Sequence, residues 1–169
     1  AAPGTFVNYP LSGFSGVPTC TNGVFRPWAL AFNNGLGYLG GVCDASVSQT
    51  AANLRAYVYS FNPAAVAATS ITYTLVTDFP LNYTREGSSA NSFGGTQVAS
   101  TWRPWVTAWA QVTNTTTWAQ PILSDIEFTA NGNMEIGFID RFTMQAASGN
   151  YQPVSANTTL LNIRGGGDI

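Results

Sequence analysis

Lysine and histidine are both absent from this chain, and Asp and Glu together number only eight. Without lysine there is no Schiff-base amine, no phosphate-gripping P-loop lysine and no Lys-Asn isopeptide staple. Without histidine the commonest general base and metal ligand is missing, which excludes Ser-His-Asp and Cys-His mechanisms within the chain. The six cationic side chains are arginines, at 26, 55, 85, 103, 141 and 164, and the net charge is -2. No basic stripe exists to neutralise phosphates, so nucleic acid is not an expected partner. Charged residues make up 8% of the sequence, against roughly 25% in ordinary soluble proteins. Any catalysis would have to rest on carboxylate or tyrosine chemistry. No run of about 18 apolar residues occurs, so no membrane span is expected.

Cysteine is nearly absent too. Cys20 and Cys43 stand 23 positions apart, with no second pair to complete a zinc site. A disulfide is the preferred reading, with two buried free thiols as the alternative. Three sequons, at Asn82, Asn114 and Asn157, lie in polar, loop-like contexts where glycosylation is sterically allowed. Together with low charge and the cysteine pair they favour an extracellular or cell-surface setting. The opening "AAPGTF" reads as a mature start or a boundary, not as a signal peptide.

What is present is β-forming. At 169 residues the chain has the size of one domain. Runs alternating apolar and polar residues recur at 5–11, 28–32, 36–42, 54–61, 71–81, 124–129, 133–139 and 158–163. They are rich in Val, Ile, Thr and aromatics and separated by Asn-Gly, Asn-Pro and Gly-Gly turn signals. Residues 45–57, "ASVSQTAANLRAY", suit either a short helix or a loop leading into a strand. The expected class is all-β.

Internal echoes refine this. "RPWALAFNNGLGYLGGV" and "LSDIEFTANGNMEIGFID" share a plan of strand, Asn/Gly turn and strand, and "TFVNYPL" echoes "TLVTDFPL" as "FRPW" echoes "WRPW". Modules of about 45 residues built from four antiparallel strands are propeller blades. The expected organisation of residues 1–169 is therefore a single propeller-like module with four parts. These are a leading outer strand and loop (1–24), a first blade (25–81), a long loop or insertion (82–120) and a second blade (121–169). Two blades are fewer than the four or so that a closed propeller needs. The module is thus expected to be partial or completed by an oligomer, and recurrence of Arg-Pro-Trp to mark a fixed bend with arginine closing onto backbone carbonyls.

In combination, "RPWALAFNNGLGYLGGVCDAS", "LRAYVYSFNPA", "FPLNY", "STWRPW", "QPILSDIEF", "MEIGFIDRF" and "GGGDI" resemble a segment of large secreted bacterial proteins. These are the SdrD B-like, adhesin-type surface proteins, whose corresponding region is similar to a β-propeller, and the likeness covers residues 24 to 169. It implies an adhesive or scaffolding module and carries over no catalytic residue. One departure is that a cysteine expected soon after "FPLNY" is missing from "TREGSSANS".

Candidate site residues follow from position. Asp125 and Glu127 share one face of a strand and Ile126 and Phe128 the other. With Asp140 and Asp168, Asp125 would form a possible Ca²⁺ site in a channel. The plainer and favoured reading has Asp125 and Asp140 binding turn amides or pairing with Arg141 and Arg103. Trp102, Trp105 and Trp109 crowd one region and form the best candidate platform for stacking a glycan, with core packing as the competing and favoured reading. No catalytic pair is marked. The expected function is a non-catalytic structural or adhesive extracellular module, whose partners are copies of itself, other parts of a larger surface protein, or glycans. A glycosylated filament or sheath subunit joined through strand edges is the first alternative. A carbohydrate-binding module or carbohydrate-active enzyme is the second.

Overall fold

The structure, a computed structural model, describes residues 15–65, 71–85, 101–112, 118–154, 158–163 and 165–168. The strand expected at 5–11 and the sequons at Asn114 and Asn157 lie outside the described residues. Phe25–Asn33 (β1), Leu36–Cys43 (β2), Arg55–Phe61 (β3) and Thr74–Pro80 (β4) form an antiparallel four-stranded sheet in sequential order. These four strands lie within 25–81, the span expected as a first blade. Asn34 and Gly35 both take positive φ, 48° and 78°, the backbone of the two-residue turn whose twist matches its flanking strands. A bulge at Pro27/Ala29 falls where proline cannot donate to a ladder, and β1 is an edge strand, where this is tolerated. Residues 45–57 form no α-helix: positive φ at Ala45 and Gln49 breaks the run, and a 3-10 turn at Ala51–Asn53 leads straight into β3.

The second part departs from expectation. Pro121–Phe128 (β5) and Met134–Asp140 (β6) pair as a hairpin, followed by a short helix, Arg141–Ala146 (α1), not by two more strands. The stretch 158–163 is not a strand: Leu160 makes one bridge to Tyr151, and Asp168 adds one to Phe138. Among the described residues, then, 121–169 is a two-stranded sheet with one helix, and no propeller closure is formed. The class is all-β with antiparallel sheets. No helix among the described residues is long and apolar enough to cross a membrane.

The hairpin packs against the first sheet. Ala29, Val42, Ala56 and Val58 from the sheet meet Leu123, Ile126 and Phe138 from the hairpin, with Leu54, Leu81 and Trp102 completing the core. Close approach requires Gly40, where a Cβ would sit 2.6 Å from the Leu123 side chain. A bulge between Leu123 and Asp125 lets Leu123 and Ile126 both turn inward although they are three apart, an odd spacing for one strand face. Each such large side chain contributes about 1.5–3 kcal/mol when buried.

The opposite face of the first sheet is apolar as well. Leu30, Leu39, Tyr59 and Leu75 align in one cross-strand row, and Phe32, Gly37 and Phe61 in the next. Residues 15–20 cross this face, tied by the Cys20–Cys43 disulfide (Cα–Cα 5.4 Å) and a Ser15–Thr72 bridge. Beneath them Tyr59, Ile71 and Tyr73 are buried with Val17, Phe25 and Leu39. Beyond that cover, Trp28, Leu30, Phe32 and Leu75 remain 50–64% exposed.

Candidate functional site

Between sheet and hairpin, residues 101–106 form a strut: Trp102 is fully buried, and the Arg103 and Trp105 amides bind the carbonyls of Ala119 and Asp44. Asp44 anchors the strut. Its fully buried carboxylate accepts from the Val24 and Ser46 amides at 2.8 and 3.0 Å and from Arg26 Nε at 2.7 Å. Burial by itself would raise its pKa, but those hydrogen bonds outweigh it and hold the carboxyl below its ordinary value. The guanidinium groups of Arg26 and Arg141 lie 5.2 and 4.5 Å from the ring centre of Trp105, whose indole donates to the Pro121 carbonyl. Arg141 in turn donates to Gln120 Oε1.

The carboxylates weighed as a possible Ca²⁺ site are not brought together. Asp140 is buried and spent on capping α1: it accepts from the Gln120 and Phe142 amides and from Thr143 Oγ1. Asp125 is exposed on the outer hairpin face with Glu127 and accepts from the Ile126 amide. Asp168 accepts from the Tyr83 hydroxyl at 2.6 Å. No group of three or more acidic or cysteine side chains among the described residues is placed to hold a metal ion. The turn-amide reading describes Asp140. Arg103 stacks over Trp118 and Arg26 bonds a side chain, so the expected closure of the Arg-Pro-Trp arginines onto carbonyls is replaced by aromatic and carboxylate contacts.

The three candidate tryptophans divide. Trp102 is core, beneath Arg85 at 3.6 Å, and its indole N–H reaches the Tyr83 hydroxyl at 3.4 Å. Burial, and then the hydrogen bond to Asp168, push the Tyr83 phenol up to about 12. Trp105 is half-buried against its two arginines. The buried Trp102 has no free face for stacking on a glycan. Trp109, by contrast, opens onto a cleft of about 400 Å³ lined by Gln145, Ala146, Asn150, Tyr151, Pro153 and Leu161. Its ring packs against Phe142, with centroids 6.0 Å apart and planes 18° apart. Tyr151, Asn150 and Gln145 carried no pattern that marked them in the sequence. The usable signal was the turn "SGNYQP", which sets an aromatic between an amide pair after a helix. Asn82 is exposed, as a glycan acceptor must be.

No known protein-family model matches the chain, and no solved structure matches it. Over 119 residues, 69% of its length, it is 32% identical to Colossin-A of Dictyostelium discoideum. The matched stretch is 1% of Colossin-A, so the similarity is to one small segment of a far longer protein.

Proposed function

We propose that this chain is a non-catalytic structural module of an extracellular or cell-surface protein, a sheet unit that packs face to face with neighbouring sheets in propeller-like fashion. The observation that carries the reading is the outer face of the first sheet, where Trp28, Leu30, Phe32 and Leu75 stay exposed on a surface otherwise built like a core. An exposed apolar run such as Trp28, Leu30 and Phe32 along β1 marks an interaction site. The disulfide supports an oxidising compartment, and the exposed Asn82 sequon is compatible with one. The resemblance to the SdrD B-like surface proteins and the similarity to one segment of Colossin-A both favour a module within a longer chain. Most described carboxylates serve the fold, through Arg26, Arg55, Tyr83 or the α1 cap.

The outer edge of β1, which pairs with no strand among the described residues, favours a second reading, assembly of copies into a filament or sheath by strand addition. Both readings predict concentration-dependent association. Light scattering after size exclusion should show it, and Leu30→Glu should abolish it while leaving the melting temperature of the monomer unchanged. A chain that stays monomeric at every concentration would overturn the interface role. Growth to discrete closed particles supports the propeller-like module; open-ended fibres support the filament.

A further inference from the structure

We propose that the cleft between Trp109 and Tyr151 is a binding site for a neutral saccharide. This adds an adhesive activity to the structural role and does not depend on what covers the outer sheet face. The cleft's volume, about 400 Å³, falls within the roughly 300–1,000 Å³ of small-ligand sites. Its lining combines aromatic surface from Trp109 and Tyr151 with the amides of Gln145 and Asn150, and no lining residue is charged.

That set fits one ligand chemistry. A pyranose presents an apolar C–H face, which aromatic rings cover, and a rim of hydroxyls that both donate and accept, which primary amides match in both directions. Tyr151 is 67% exposed and Gln145 is exposed too, so both tips reach solvent. Asn150 commits one Nδ2 hydrogen to the Ala146 carbonyl, which leaves its Oδ1 and a second hydrogen. Among the described lining residues an anionic ligand would find no counter-charge, and a purely apolar one would strand the amides.

The frame is preorganised. Gln111 Oε1 accepts from the Thr107 and Ala108 amides, fixing the 3-10 turn that presents Trp109. The Gly149 amide donates to Leu161 O at 2.7 Å and the Leu161 amide to Asn150 O at 2.8 Å, clamping the turn that carries Tyr151. Positive φ at Gly149, 81°, permits that turn. Trp109 itself is backed by Phe142, so ordering costs on binding are small.

The experiment is an NMR titration of the full chain with methyl glucoside, methyl galactoside and methyl mannoside, read at the Trp109 indole N–H, with methyl glucuronide as the charged counterpart. At least one neutral glycoside should give a saturable shift, weakened roughly two- to tenfold by Tyr151→Ala, the loss of one aromatic contact. Gln145→Ala should weaken it as well. Both side chains are exposed, so these variants keep the fold where Trp109→Ala endangers it. Leu30→Glu should leave binding intact even where it abolishes association, which separates this site from the structural reading. The absence of a saturable shift with any neutral glycoside, preference for the glucuronide, or binding unchanged in both variants would overturn the proposal.

Discussion

Replacing Asp44 should damage this protein more than replacing any exposed residue. Asp44→Ala strands the Val24 and Ser46 amides and unpairs Arg26, in a place where the carboxylate is fully buried. Removing one partner of such a group costs about 3–5 kcal/mol. For a chain of this size each kcal/mol is worth roughly 2–4 °C, so the melting temperature should fall by about 10 °C. Asp44→Asn retains an acceptor for the two amides but sets an N–H group against Arg26, and about half that loss is expected. Arg26→Ala should cost about 1 kcal/mol, because its side chain is 40% exposed and water screens the pair. The depressed pKa of Asp44 adds a pH signature. A carboxyl held below its ordinary value of 3.8 contributes stability that is present above that value and lost as pH falls through the lower, folded-state value. The gap between the native chain and Asp44→Asn should therefore be widest at neutral pH and close below about pH 4. Circular dichroism melts and denaturant titrations across that range measure both effects. An Asp44→Ala variant within about 1 kcal/mol of the native chain would refute the reasoning, as would a gap that does not narrow in acid.

Other perturbations have definite expected outcomes. Cys20→Ser with Cys43→Ser opens a 23-residue separation, and the chain-entropy relation puts the loss at about 3 kcal/mol; denaturation with and without reductant checks it. Glu127 and Glu135 face each other directly across the hairpin, both exposed, so Glu135→Thr should stabilise by about 0.2–1 kcal/mol, with a gain that shrinks in high salt. Burial raises the pKa of Tyr57 and Tyr73 and pushes Tyr59 and Tyr83 up to about 12. Their stabilisation is full below the ordinary value of 10 and lost as pH rises from there towards 12. With no lysine titrating in that window, phenolate absorbance and loss of ellipticity should rise together between about pH 10 and 12.

Much of the first sheet was readable because its signals are local. Alternation placed β1 to β4, and Asn34-Gly35 imposed its turn through the backbone freedom of those two residues. The stretch 158–163 was read as a strand from its alternation; Leu161 and Ile163 are buried and Asn162 is exposed, yet it is not a strand. A ladder needs a neighbour, and periodicity is blind to whether one exists. Helix α1 was missed because six residues are too few for a helical period to stand out; Asp140 was read as binding turn amides, and the amides it binds, two residues on and at position 120, include those of the helix it caps. The division among the tryptophans was equally invisible, because it depends on which rings the strut buries, a long-range property. Spacing grouped Trp109 with Trp102 and Trp105 and could not show that Tyr151, 42 positions later, would line one cleft with it.

The missing lysines and the tryptophan pattern meet in one arrangement. Arg26 and Arg141 flank Trp105, Arg85 lies over Trp102, and Arg103 lies over Trp118. Arg85 combines this stacking with a bond from Nη1 to the Gly166 carbonyl, and Arg26 with its bond to Asp44. Only a planar, delocalised and weakly hydrated cation can lie flat on a ring and still donate from its edge; a lysine ammonium offers a compact, strongly hydrated point charge. The two Arg-Pro-Trp segments are therefore complementary, not equivalent. The first sits on an edge strand with its tryptophan 59% exposed, and the second is folded inward so that its tryptophan receives the first segment's arginine. A repeat in sequence has become a contact in space, joining sheet to strut, and in these four positions arginine does what lysine could not.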